Sequence, residues 1–255
     1  MKAHAVTVNK FSFWYGDFQA LFDLTFNIPS LQITALIGPS GCGKSTFLKC
    51  LNRISERGGT ARWAGSVQVF GNDIYHPINS LPEIRKSIGM VFQKPNPLPL
   101  SVYENVIFGA RTHLKRDELK KDLLDGMVES SLRKVGMWTE LKDRLDRPAI
   151  GLSLEKQQKL CIARLLPLKP KLILLDEPCS ALDPKGTQAV EELIRELKPL
   201  YTQIIVTHSM AQAKRISDET MFMYLGELVE HGPTQQVFGA AKNPKTTQYI
   251  EGRFG

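Results

Sequence analysis

The sequence predicts an α/β fold: a mainly parallel sheet covered by helices, an antiparallel β layer near the N-terminus and an inserted helical subdomain. Three observations carry this. Apolar runs at Ile33 to Ile37, Lys171 to Asp176 and Gln203 to His208 have the length and composition of strands buried on both faces. Between the second and third lies "TQAVEELIREL", with Val190, Leu193, Ile194 and Leu197 on one helical face. Strand–helix–strand alternation of this kind builds parallel sheets. The stretch from about Pro95 to Arg164, by contrast, shows no strand pattern.

The elements follow in order. The first 30 residues, "AVTVNKFSFWYGDFQALFDLTFNIPS" within them, alternate and are rich in aromatics, which reads as an antiparallel β layer. The run from Ile33 ends at Gly38 and a glycine-rich turn follows. Lys44 to Ile54 then places Phe47, Leu48, Leu51 and Ile54 at helical spacing. "SVQVFGNDI" and "MFMYLGELVEHG" supply further short strands with glycine turns. In "DELKKDLLDGMVESSLRKVGM", Leu119, Leu123 and Met127 recur every four residues, with Leu124, Val128, Leu132 and Val135 beside them. The expected division is a core of residues 1–94 and 165–255 and a helical subdomain of residues 95–164. No internal repeat and no low-complexity linker is present.

Composition narrows the function classes. A chain of 255 residues allows one large domain or a core plus a subdomain. No run of about 18 apolar residues exists, so no membrane span is expected. The start, "MKAHAVTVNKFSFWYG", lacks the continuous apolar core of a secretory signal. Cys42, Cys50, Cys161 and Cys179 match no zinc spacing and read as reduced thiols. The net charge of +7 is scattered apart from Lys115, Arg116, Lys120 and Lys121, with no basic–aromatic alternation. It reads as a solvated surface, and no nucleic-acid partner is expected.

The chemistry concentrates in "GPSGCGKST", Gly38, Pro39, Ser40, Gly41, Cys42, Gly43, Lys44, Ser45 and Thr46, which fits G-x-x-x-x-G-K-[ST]. Inward-facing N–H groups of such a loop form an anion nest, and the following helix adds its positive end. Lys44 can reach the β- and γ-phosphates of a nucleotide, and Ser45 can ligate Mg²⁺. The loop follows an expected strand and opens an expected helix, as a P-loop NTPase core requires. "LILLDEP" supplies the complement: Asp176 ends a buried strand where it can hold Mg²⁺, and adjacent Glu177 can act on an attacking water.

With these segments the chain resembles the ATP-binding subunits of ABC transporters. Gln93 in "MVFQKPNP" stands where that family has its Q-loop glutamine, "SALD" with Asp183 matches its D-loop, and His208 in "IIVTHS" matches its switch histidine. Tyr15 matches the aromatic that stacks on adenine, although Phe13 and Trp14 beside it leave a core role open. More narrowly, "GMVFQKPNPLPLSVYENVIFGAR", "LCIARLL", "DEPCSALDP", "FMYLGELVEHG" and "TTQYIEGRFG" look like the phosphate-importing ATPases of bacterial Pst systems.

The resemblance implies ATP on the Gly38–Thr46 loop and Mg²⁺ on Ser45, Gln93 and Asp176. It implies Glu177 polarising the water and His208 contacting the γ-phosphate. It further implies a second nucleotide-binding chain, identical or different, two membrane-spanning permease subunits and a phosphate-binding protein. The place would be peripheral, at the cytoplasmic face of the inner membrane. Pro95 to Asn105, with Leu98, Leu100, Val102 and Tyr103 as an apolar face, is the expected docking surface for the membrane subunits. A soluble ATPase of the same type and a weakly active regulatory subunit remain alternative readings.

One segment departs from the pattern. The family's signature runs Leu-Ser-Gly-Gly-Gln at a helix start, and its Ser reaches the partner chain's nucleotide. Here "GLSLEKQQKLCIAR" keeps Leu152 and Ser153 but has Leu154 and Glu155 for the glycines and Lys156 for the Gln. Read locally, Ser153 caps a helix and Glu155 pairs with Lys159 at i,i+4. The substitution puts bulk and negative charge where a phosphate would approach, so reduced turnover is the expectation.

Overall fold

A computed structural model describes residues 4–115 and 119–253. Arg116, in the basic cluster, Asp117 and Glu118, which begin the long helical segment, and the closing Phe254 and Gly255 lie outside the described residues. The chain runs β1 (His4–Tyr15), β2 (Phe18–Pro29), β3 (Ile33–Ile37), α1 (Lys44–Leu51), β4 (Ala61–Val69), β5 (Asn72–Asp73), α2 (Leu81–Ser87), β6 (Ile88–Val91) and α3 (Val102–His113). It continues with α4 (Lys121–Lys134), α5 (Trp138–Leu141), α6 (Leu154–Ala163), β7 (Leu172–Asp176), α7 (Pro184–Leu197), β8 (Thr202–Val206) and α8 (Met210–Ile216). β9 (Glu219–Tyr224), β10 (Glu227–Pro233), α9 (Thr234–Gly239) and α10 (Pro244–Ile250) complete it.

Two sheets form. One is antiparallel, in the order β2-β1-β4-β5, and is the expected N-terminal layer. The other has the order β10-β9-β3-β8-β7-β6, parallel from β9 to β6 with β10 antiparallel at its edge. Successive side chains of a strand point to opposite faces, and here that alternation splits the core in two. Ile33, Ala35, Ile37, Ile173, Leu175 and Ile205 join the helices α3, α4, α6 and α7. Leu36, Leu172, Leu174, Ile204 and Val206 join α1 and the antiparallel sheet. A parallel sheet buried on both faces favours apolar residues at successive positions, which is why these strands read as near-continuous apolar runs.

Three details depart from the periodicity. The first helix stops at Leu51, short of Ile54. Arg53 turns the chain at φ 57°, binds Glu56 at 2.6 Å and lays its guanidinium against the Trp63 and Tyr75 rings, so a tertiary stack ends the helix. In α4, Leu124, Val128 and Leu132 are buried, whereas Leu123 of the other row is exposed and Met127 only partly buried, because the first row faces the helices beside it most directly.

The third departure is at the expected docking face. Val102 is fully buried, so it contributes nothing to an outer surface. Ser101 caps α3 by accepting from Glu104 N–H, which turns Val102 inward. Asn105, also fully buried, accepts from Leu98 N–H and donates to the Leu98, Leu100 and Ser101 carbonyls. The apolar surface left there is Leu100 and Phe108, with Leu98 and Tyr103 half-buried.

Candidate active site

The cleft is built at the C-terminal ends of β3, β7 and β8. Gly38 leaves β3 at φ 148°, and a Cβ there would lie 2.2 Å from the Met223 carbonyl oxygen, so no side chain fits. Gly43, at φ 102°, opens α1, and a Cβ would press on Leu21 at 2.9 Å. These contacts hold the loop against β9 and the β2 edge. Ser40, Gly41, Gly43, Lys44, Ser45, Thr46, Glu177 and His208 line a cleft of about 190 Å³. The Cys42 side chain is buried in the apolar layer beneath, and its backbone N–H closes a turn onto Pro39 O at 3.3 Å, so both residues shape the loop.

Lys44 is 4% exposed, and its ammonium donates to Gly38 O at 2.7 Å and Pro39 O at 2.8 Å. Burial pushes its pKa down from the ordinary lysine value, opposed by Cys42, Glu177 and Asp176. The ammonium is thus held ready, on weakly basic carbonyls that an anionic ligand outcompetes. Ser45 Oγ donates to Asp176 Oδ1 at 2.7 Å. Glu177 sits just past β7 at φ 49°, its N–H still bonded to Val206 O at 3.0 Å. Its carboxylate is gripped from two sides, by His208 Nε2 at 2.6 Å and Gln93 Nε2 at 3.1 Å. Tyr15 is 38% exposed and packs edge-on against Phe13 at 5.0 Å. Partial burial raises its hydroxyl pKa, and the neighbouring Thr46 side chain opposes this.

Ser153 and Asp183 are elsewhere. Each is an N-cap: Ser153 accepts from Lys156 N–H of α6 at 3.4 Å, and Asp183 accepts from Gly186 N–H of α7 at 2.6 Å. The two helix starts adjoin, with Glu155 Cβ 3.3 Å from where a Cβ on Gly186 would stand. Glu155 bends along its own helix to Lys159 at 2.7 Å, and Lys156 reaches Glu140 at 2.5 Å. Leu154 is 51% exposed.

The structure adds residues that sequence reasoning missed. Behind Glu177 and His208 a cavity of about 300 Å³ is lined by Glu191, Gln212 and Arg215. Glu191 is buried and accepts from Gln212 Nε2 at 3.1 Å and from Arg215 at 2.7 and 3.1 Å, which pins α8, and so His208, to α7. A charged residue on an amphipathic helix reads as solvated, so no sequence signal separates Glu191 from its neighbours. Tyr249 of α10 stacks on Phe222 at 4.9 Å, with its hydroxyl in hydrogen-bond contact with the Gly38 backbone. Its segment stands out in the sequence, but its place under the phosphate loop does not. The four thiols are buried; burial pushes Cys179 up to about 11 and Cys50 to about 12, so neither is a nucleophile here.

The donor set suits magnesium. A hydroxyl, a carboxylate and a side-chain amide stand at the lip of a phosphate-sized nest, and Mg²⁺ takes few protein oxygens beside substrate phosphates. Among the described residues no cluster of three or more His, Cys, Asp or Glu offers a closed metal cage. Among them also, no helix is long and apolar enough to cross a membrane.

The same architecture occurs in known proteins. A solved structure of cbiO1 from Clostridium perfringens, described as part of the ABC transporter complex cbiONQ, superposes with a TM-score of 0.81 at 28% identity, covering 98% of this chain and 96% of that one. A bacterial Atm1-family ABC exporter with ATP bound matches with a TM-score of 0.78 at 23% identity, covering all of this chain and 43% of the exporter, and shows the fold alone. The family described as "ABC transporter" matches residues 21–180, from the β2 strand through the phosphate loop to the residues following Glu177. That is more than half of the chain, and the chain therefore belongs to the ABC transporter family, as an ATP-binding ATPase component.

Proposed function

We propose that this chain hydrolyses ATP at the Gly38–Thr46 cleft to energise uptake of inorganic phosphate through partner membrane subunits. The observation that carries the hydrolytic reading is the Glu177 carboxylate. It is held at 2.6 Å by His208 and 3.1 Å by Gln93, at the edge of the cleft that holds Lys44 and Ser45. In this reading the ATP phosphates lie on the loop N–H groups, and Lys44 exchanges its carbonyl partners for phosphate oxygens. Tyr15 offers its exposed face to the base. Ser45, Gln93 and Asp176 hold Mg²⁺, which neutralises phosphate charge when bound. Glu177 orients the attacking water and His208 reaches the γ-phosphate. Residues 95–164 act as a helical subdomain on the core of residues 1–94 and 165–255.

Ser153 and Asp183, exposed and not among the residues that line the cleft, serve the nucleotide of a second copy or a related chain. Leu154 and Glu155 weaken that closure, so turnover is low for the family. Docking to two permease subunits, at Leu100 and Phe108, places the chain on the cytoplasmic face of the inner membrane, with a phosphate-binding protein as the further partner. Phosphate as cargo is supported by the resemblance of "GMVFQKPNPLPLSVYENVIFGAR" and "TTQYIEGRFG" to phosphate-importing ATPases. The test is co-expression with candidate permeases, reconstitution in vesicles and ATP-driven uptake of radiolabelled phosphate. Uptake that is absent with phosphate, but present with another solute, removes the cargo and leaves the ATPase.

A further inference from the structure

Gln158 lies in α6, five residues beyond Ser153, and about 7.5 Å further along the helix at 1.5 Å per residue. It is fully buried. Its Nε2 donates to Phe92 O at 3.3 Å and to Pro178 O at 2.9 Å. Both acceptors are carbonyls, so only the NH₂ end can face them, and both its hydrogens are used. Oε1 is buried with no hydrogen-bond partner. An orphaned acceptor is unfavourable, so helix packing alone does not account for an amide where an apolar side chain would fill the space.

The two carbonyls explain it. The parallel ladder of β6 and β7 ends with Val91 opposite Leu175. Beyond it the chains continue as Phe92-Gln93 and Asp176-Glu177-Pro178, with no further sheet pairing between them. Gln158 grips the residue before Gln93 and the residue after Glu177, where the sheet no longer does. Glu177 needs such support, because its φ of 49° lies in the left-handed region that side-chain-bearing residues avoid.

We propose that Gln158 is a positioning residue: it clamps the segments that carry Gln93 and Glu177 to α6, so that hydrolysis depends on where the start of α6 sits. The proposal rests on the reading of Glu177 as the water-orienting group. Through a rigid helix, whatever engages Ser153 at one end moves the Gln93–Glu177 pair at the other.

The experiment uses the full chain with Gln158→Met, which keeps the volume and removes both donations, and Val128→Ala, a deletion in the same apolar core. ATP affinity is measured by calorimetry, kcat by phosphate release and stability by thermal melting. Gln158→Met is expected to bind ATP within about twofold of the parent and to lose about tenfold or more in kcat, since small misplacements of reacting groups are costly. Val128→Ala is expected to lose stability and keep kcat. An equal fall of kcat in both variants makes Gln158 merely structural and overturns the proposal, as does a parent-like kcat in Gln158→Met. Glu177→Gln in the same assay separates the two layers. If it is inactive while Gln158→Met is normal, only the clamp fails. If it turns over normally, the underlying reading of Glu177 fails. Should Gln158→Met not fold, Gln158→Asn, whose shorter amide loses the reach, is read in the same way.

Discussion

The Gly38–Thr46 cleft and the start of α6 are both helix N-termini with a serine at the lip, yet the chain treats them differently. In the cleft the charged and metal-binding side chains are engaged internally: Lys44 on loop carbonyls, Ser45 on Asp176, Glu177 between His208 and Gln93. At α6, Ser153 does no more than cap its own helix, and the adjoining Leu154 is half exposed. The first region is preorganised by its own chain, so losing one member should be felt at once. The second lines no part of this chain's own cleft, so its changes should be felt in an assembly.

That contrast can be broken by measurement. The largest expected effect is at Glu177. Glu177→Gln should keep ATP binding and lose about 10²-fold or more in turnover, the usual scale for a positioned acid–base group; single-turnover and binding assays on the isolated chain decide it. Lys44→Ala comes next. It removes a buried cation facing the phosphates, and charge-assisted bonds of about 1.5–3 kcal/mol predict a roughly 10–100-fold weaker ATP affinity by calorimetry. Equal affinity would remove the loop from the site.

Restoring glycine at both Leu154 and Glu155 sharpens the other side. ATPase activity of the assembled transporter should rise severalfold, while ATP affinity of the isolated chain stays put. Each glycine costs the helix up to about 1 kcal/mol, so the melting temperature should fall even as activity rises. No gain in activity would mean that the segment is only a helix start. The smallest effect is Ser153→Ala. In the isolated chain it should cost about 1 kcal/mol of stability as a lost cap and leave ATP affinity unchanged. A drop in affinity there would show that the α6 start reaches its own chain's nucleotide.

Much of this was written locally. The phosphate loop needs a glycine pattern, one lysine and one serine in nine consecutive residues, and β3, β7 and β8 are apolar because both faces of their sheet are covered. Contiguous motifs and strands buried on both sides depend on near neighbours, so the sequence by itself determined the fold class, the loop and the Asp176–Glu177 pair. Ser153 as a cap and the Glu155–Lys159 pair were equally local, and helical spacing was enough to place them. Only the tertiary structure decided which of two apolar rows of α4 is buried, that Arg53 and its aromatic stack end α1, and that Val102 points inward. It alone gave the direct hydrogen bond of Gln93 to Glu177 across 84 positions, and that of Gln158 to Phe92 across 66. The physical reason is range: periodicity and motif spacing record what a residue meets within a turn or a strand, whereas a buried amide or carboxylate takes its meaning from partners that only packing brings within about 3 Å.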